Sequence, residues 1–203
     1  GLGGLENLAL IPGSMGAAPI QNIGAYGVEL KDVFEWCKAL DRITLEERTF
    51  NFEDCAFGYR DSIFKKELKD RYIITEVALR LSQNIHAVNT AYAPLKQWFE
   101  QSPPTTPIRP IDVAEAVCAI RSSKLPDPKI IGNAGSFFKN PVVSAEKAKQ
   151  LRSIDSETPL YAQSDGSFKV AAGWLIDRLK LKGIKRGKAA VHDKQALVLV
   201  NTG

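Results

Sequence analysis

Histidine and methionine are scarce in this sequence, with two His and one Met among 203 residues, and cysteine is nearly as rare at three. His86 and His192 are too few for a typical metal site. Cys37, Cys55 and Cys118 show no CxxC spacing, so no structural zinc is expected. An odd cysteine count without a paired framework points to a reduced protein, and a cytoplasmic one is expected. No stretch reaches the ~20 consecutive apolar residues that cross a bilayer as a helix, so no membrane insertion is expected. A GxSxG elbow, a GxxxxGKS/T phosphate loop and a GxGxxG turn opening a helix after a strand are all missing. That removes the usual signatures of α/β-hydrolase, P-loop and Rossmann chemistry. No internal repeat and no low-complexity tract interrupts the chain.

What is present is ordinary in bulk and unusual in places. Hydrophobic residues at 44% and charged residues at 25% are globular values, and 203 residues can bury a real core as one large or two small domains. The net charge of +4 is mild and spread along the chain. It suits an anionic small ligand, and no nucleic acid partner is expected.

The first unusual stretch is PGSMGAAPIQNIGAYG, Pro12 to Gly27, which carries four glycines and no charge. So bare a backbone can offer N–H groups to phosphate oxygens, or it can simply form a series of tight buried turns. Val33–Leu40 and Ile43–Phe52 read as strands joined at Asp41-Arg42, and Tyr72–Leu81 alternates as a third. Between them, FEDCAFGYRDSIFKKE places Arg60 after Gly58. This arginine can pair with a local carboxylate or match a ligand carboxylate by bidentate geometry. A short helix is predicted over Ala93–Gln101, and Val113, Ala116, Val117 and Ile120 mark a clearer one from Pro110 to about Ser122.

The second unusual stretch is KLPDPKIIGNAGSFFKN, Lys124 to Asn140. Pro126 and Pro128 keep its entry non-helical, and Gly132 and Gly135 permit a bend that leaves one small hydroxyl, Ser136, near lysines. It reads as a site or as a connecting loop, and a domain boundary is expected within 123–130. Beyond it, Ser144 is an N-cap for a helix through Leu151. Ala171–Leu181 is predicted helical with Gly183 to end it. Residues 177–188 hold six basic residues against one acid, as a solvated face or a diphosphate clamp. Strand signals return at Val191 and Ala196–Val200. Taken alone, these residues lean toward binding a metabolite that bears phosphate and carboxylate.

Five separated segments go further: IPGSMGAAPIQNIGAYG, FGYRDSIFK, KLPDPK with GNAGSFFKNPVVS, YAQSDGSFKVAAGWLID, and AAVHDKQALVLVN. Together, and in this order, they resemble the UDP-N-acetylenolpyruvoylglucosamine reductase family (MurB), in its longer type with a complete third domain. The resemblance runs through practically the whole chain. It implies an α+β architecture: the second half of an FAD-binding domain of the vanillyl-alcohol-oxidase/PCMH type over residues 1–122, then most of a smaller α+β substrate-binding domain over 123–203. It also implies NADPH-dependent, FAD-mediated reduction of UDP-N-acetylglucosamine enolpyruvate to UDP-N-acetylmuramate, a step of peptidoglycan precursor synthesis, by a cytoplasmic monomer.

The same resemblance assigns residues. Ser136 is expected to donate the proton and Arg60 to support the developing aci-carboxylate. Flavin contact falls on Pro12, Gly13, Ser14, Met15, Gly16, Ala17, Ile23 and Gly24, mainly through backbone N–H groups. Substrate contacts fall on Tyr92, Lys124, Asn140, Tyr161, Lys182 and Gln195. The family's GxGSN-like flavin loop and its catalytic glutamate have no counterpart within residues 1–203. A fragment that neither holds FAD well nor turns over is therefore expected. A second reading takes the chain as a non-catalytic nucleotide-sugar-binding module of the same fold. The presence of both Arg60 and Ser136 favours the reductase.

Overall fold

The computed structural model describes residues 1–83 and 88–203, so His86 lies outside the described residues. The chain divides into two compact units, Gly1–Arg121 and Ser122–Gly203.

In the first unit, short 3-10 turns over Glu6–Leu8, Met15–Ala17 and Pro19–Gln21 lead into a minimal hairpin of β1 (Gly24–Ala25) and β2 (Val28–Glu29). A three-stranded antiparallel sheet follows. Its central strand is β3 (Phe34–Asp41), flanked by β4 (Glu47–Asn51) and β5 (Tyr72–Leu79). Phe34, Cys37, Ala39 and Asp41 are the buried positions of β3. Strict alternation could not put residue 34 on the face of 37, 39 and 41. The register shift between Phe34 and Trp36 resets the phase and lets one strand bury all four. Their core is closed by Ala18, Leu30, Phe50, Cys55 and Phe64. Within it Phe50 meets Phe64 and Tyr72 edge-on, each at 5.0 Å between ring centroids. Cys37 and Cys55 touch inside this core as free thiols. Their mutual hydrogen bond and their burial push the Cys55 thiol upward, so it stays protonated.

The turn after β3 is longer than the predicted Asp41-Arg42 pair. The Asp41 carboxylate accepts from the N–H groups of Ile43 (2.9 Å) and Thr44 (3.4 Å), and Leu45 takes a φ of 60°. Residues 43–45 therefore turn, and the strand begins at Glu47 rather than Ile43. Helices α1 (Ala93–Gln101) and α2 (Pro110–Lys124) build a second core, from Leu95, Val113, Ala116, Val117 and Ile120. The i, i+3, i+4, i+7 spacing of the last four marks the buried face of α2. Helix α2 runs two residues beyond the predicted stop and carries the chain into the second unit.

The second unit contains two antiparallel sheets. In chain order its elements are β6 (Asn133–Ser136), β7 (Val142–Val143), α3 (Ala145–Ile154), β8 (Leu160–Ala162), β9 (Phe168–Val170), α4 (Ala172–Arg178), β10 (Lys185–Arg186), β11 (Ala189–Val191) and β12 (Val198–Asn201). One sheet has the order β10-β11-β12-β6 and the other β7-β9-β8. Ser144 caps α3 as predicted, its Oγ accepting from the Lys147 N–H at 3.2 Å. Helix α4 is shorter than predicted. The Lys180 N–H donates to Asp177 O (2.8 Å) and the Leu181 N–H to Ile176 O (3.3 Å), with Lys180 at φ 56°. This paired closure ends the helix ahead of Gly183, which instead donates to Val191 O in the next turn. Among the described residues no helix is long and apolar enough to cross a membrane, and no group of three or more His, Cys, Asp or Glu is placed to hold a metal ion.

Candidate functional site

In the first unit the candidate residues lie on two segments that a buried amide ties together. The bare segment from Pro12 to Ala17 is largely exposed at its start, with a φ of 111° at Gly13. Gly16 has a packing reason: a Cβ there would stand 2.7 Å from the Ile74 carbonyl, so only glycine lets the segment lie against β5. The Ala17 N–H donates to Ser14 O (3.1 Å) and the Ile23 N–H to Ala18 O (3.1 Å). These two donors are already used within the fold. Among the described residues the N–H groups of Gly13, Ser14, Met15 and Gly16 have no protein acceptor. Four successive N–H donors without acceptors, at an uncharged and exposed turn, are what an anion can use.

Arg60 sits in a tight turn closed by the reciprocal Gly58 and Asp61 bonds of 3.0 and 3.2 Å. Its φ is 53°, the left-handed region that favours glycine. The guanidinium donates through Nη1 to Glu29 Oε1 at 3.0 Å and through Nη2 to the Gly24 carbonyl, and lies over the Tyr59 ring. Gly24, expected as a flavin contact, thus serves Arg60: a Cβ on it would fall 2.4 Å from Arg60 Nη1 and 2.9 Å from Glu29 Cγ. Asn22, fully buried, donates to Gly58 O at 3.0 Å and to Glu29 Oε2 at 3.1 Å. It joins the arginine turn to the bare segment. The sequence pattern does not single out Asn22 or Glu29. Its one signal is a polar residue, Asn22, inside a glycine-rich run. Tyr92, half exposed at the start of α1, meets Tyr26 edge-on at 5.4 Å, and burial raises the Tyr26 phenol above its usual range.

In the second unit Ser136 ends β6, so the stretch read as a loop or bend contains a strand. The reason is a bulge. Val198 pairs with Ser136 and Val200 with Asn133, so β6 carries one residue more than β12 over this interval. Gly135 absorbs it at φ 68°. Asn133 braces the bulge, its Oδ1 accepting from the Gly135 N–H (3.0 Å) and its Nδ2 donating to Ile131 O (2.9 Å). The Ser136 side chain is left exposed, with no hydroxyl partner among the described residues.

Gln195 and Asn140 are drawn toward the same strand pair. The Gln195 carbonyl accepts from the N–H of Val198, and Phe137 donates to Leu197 O at 2.8 Å. Asn140 Oδ1 caps α4 by accepting from the Ala172 N–H at 2.9 Å, and among the described residues its amide N–H2 has no acceptor. Gly173, in the same helix, approaches Leu197 so closely that a Cβ would touch it at 3.4 Å. Tyr161 stands on β8 in the other sheet, opposite Lys169 and 55% exposed. Lys182 follows α4 and pairs with Asp177 at 2.7 Å, and Lys124 is exposed at the end of α2.

Known proteins resemble the chain at both levels. Residues 127–203 match the family described as UDP-N-acetylenolpyruvoylglucosamine reductase, C-terminal domain. Over all 203 residues the chain is 54% identical to a UDP-N-acetylenolpyruvoylglucosamine reductase of Pseudomonas syringae pv. tomato. It is 57% identical, over 205 aligned positions, to one of Cupriavidus pinatubonensis. It spans 59% of the length of each of these relatives. The solved structure of the Thermus caldophilus enzyme of that name matches the whole chain and 55% of its own, with a TM-score of 0.64 and 24% identity, which shows a shared fold.

Proposed function

Because the chain belongs to the UDP-N-acetylenolpyruvoylglucosamine reductase family, we propose that the protein reduces UDP-N-acetylglucosamine enolpyruvate to UDP-N-acetylmuramate, using FAD and NADPH. The observation that carries this reading is the identity of more than half of all positions with enzymes of that name. The geometry supports it residue by residue. When bound, FAD reduced by NADPH would supply the hydride. The four unpaired N–H groups of Gly13–Gly16 suit the phosphates of that cofactor, and no side-chain charge competes with them.

The remaining chemistry falls to side chains. Hydride addition to the enolpyruvyl double bond places negative charge on the carboxylate end, which Arg60 meets with a guanidinium already fixed in direction. Ser136 donates a proton to the carbon bearing the ether oxygen. A serine hydroxyl is a weak acid, so it serves only where that carbon has become strongly basic. The bulge at Gly135 holds the hydroxyl on strand backbone rather than on a mobile loop. Lys124 and Lys182 match the diphosphate by charge. Tyr92 and Tyr161 offer exposed rings, and Asn140 and Gln195 amide groups, to the nucleotide sugar.

The test is Ser136→Ala in the full-length protein, followed in two halves. Reduction of the flavin by NADPH should persist, while reoxidation by the enolpyruvyl substrate should fall by ~10²–10⁴, the usual worth of a positioned general acid. Equal slowing of both halves would refute the proton-donor role. A wild-type protein that does not oxidise NADPH with this substrate would refute the function and favour a nucleotide-sugar-binding module.

A further inference from the structure

We propose that Glu29 is a positioning residue for Arg60, acting with Asn22 to hold the guanidinium in one orientation; the inference rests on the role given to Arg60 above. The Glu29 carboxylate is a hub. It accepts from Arg60 Nη1 at 3.0 Å and from Asn22 Nδ2 at 3.1 Å, and Lys31 Nζ stands 3.3 Å from Oε2. Both partners are sheltered, the Arg60 and Glu29 side chains keeping 28% and 22% of their exposure. The hub is itself anchored. Asn22 is fully buried at φ 44°, its Oδ1 accepting from the Lys31 N–H at 3.0 Å and its Nδ2 reaching Gly58 O in the arginine turn.

One feature makes this more than a structural ion pair. Arg60 is held from two directions, by a carboxylate on Nη1 and by the Gly24 carbonyl on Nη2, and Gly24 lacks the Cβ that would occupy that space. A planar guanidinium bound at both terminal nitrogens has lost the rotations that an exposed arginine would otherwise lose during the reaction. Among the described residues the rest of its five N–H donors have no other acceptor, which leaves them for a substrate carboxylate. Charges around the pair balance, with Arg60 and Lys31 set against Glu29 and Asp32, whose carboxylate accepts from the Glu29 N–H at 2.8 Å.

The experiment is a double-mutant cycle in the full-length protein, read as substrate-driven flavin reoxidation, with Glu29→Gln, Arg60→Lys and the pair. Glutamine can accept from Arg60 or from Asn22 but not both, since its amide nitrogen brings a donor against one of them. Glu29→Gln alone is expected to slow reoxidation roughly 10- to 100-fold, and by no more than about 3-fold once Arg60 is lysine. The Arg60 guanidinium should also give resolved Nη signals in ¹H–¹⁵N spectra of the wild type that collapse in Glu29→Gln. Glu29→Asp, which keeps the charge one methylene short, should fall between the two. Equal slowing in both arginine and lysine backgrounds, or an unchanged Arg60 spectrum, overturns the inference. Wild-type reoxidation by Arg60→Lys overturns the role of Arg60 itself, an outcome visible before Glu29 is changed.

Discussion

Arg60 occupies the left-handed region at φ 53°, where any side chain costs roughly 1–2 kcal/mol relative to glycine. A bulky residue persists there because its surroundings over-determine it: the turn bonds on either side, the Glu29 carboxylate and the Gly24 carbonyl. Gly24 makes the corresponding prediction. In Gly24→Ala the new methyl meets the far end of the arginine first, and also Glu29 Cγ at 2.9 Å and the Val28 carbonyl at 3.0 Å, so the guanidinium must swing away and the hairpin backbone must shift with it. Stability should drop by about 1–3 kcal/mol, the usual range for overpacking, while turnover falls ~10²-fold from a displacement near 1 Å. Thermal melting and steady-state rates on one preparation check both halves. Arg60 and Ser136 were legible in the sequence because each sits in a compact motif. Asn22 and Glu29 were not, since Glu29 lies 31 positions from the arginine it holds and no periodicity links the two.

Among the elements, α2 shows a local charge device that can be titrated. Asp112, in its first turn, takes a bidentate bond from Arg109 (3.1 and 2.8 Å) and the Arg109 backbone N–H (2.8 Å). The guanidinium first, and then the backbone donor, lower its carboxyl to about 2. The unfolded carboxyl titrates near ~3.9, so the unfolded chain binds the proton more readily. Asp112 should therefore add stability above about pH 4 and lose that contribution as pH falls toward 2. The gap in thermal midpoint between wild type and Asp112→Asn should close over the same interval, and a ¹³C titration of the carboxyl should give the low midpoint directly. Element existence was largely legible here: α1, α2, α3 and the three strands of the first sheet follow apolar spacing and caps. The β6 bulge and the early end of α4 were not. Each depends on hydrogen bonds closed by a left-handed residue, Gly135 and Lys180, rather than on composition.

Across the molecule the two units differ in what they bury. The first holds two apolar clusters with Phe34, Phe50 and Phe64 in one and Leu95, Val113 and Ile120 in the other. The second buries chiefly small side chains, Ala148, Ala172, Ala196, Val170, Val198 and Val200, and leaves Ile130, Phe137, Ile154 and Leu179 more than half exposed. Local stability follows buried apolar contact, so amide exchange should be slowest in β3 and its neighbours and measurably faster in β9 and β12. Slower exchange in β12 than in β3 would refute this ordering.

By itself the sequence determined the fold class and where the candidate groups fall along the chain: an α+β chain with a bare uncharged segment, and one arginine and one serine set among glycines. These follow from residue type and short-range spacing, which propensity and steric rules read directly. Tertiary structure alone decided how those groups are held. Glu29 and Asn22 fix the arginine, Gly24 makes room for it, Asn140 spends its carbonyl on a helix cap, and a bulge carries Ser136. Each of these is a contact between distant parts of the chain, and such a contact has no energy until the backbone has closed around it.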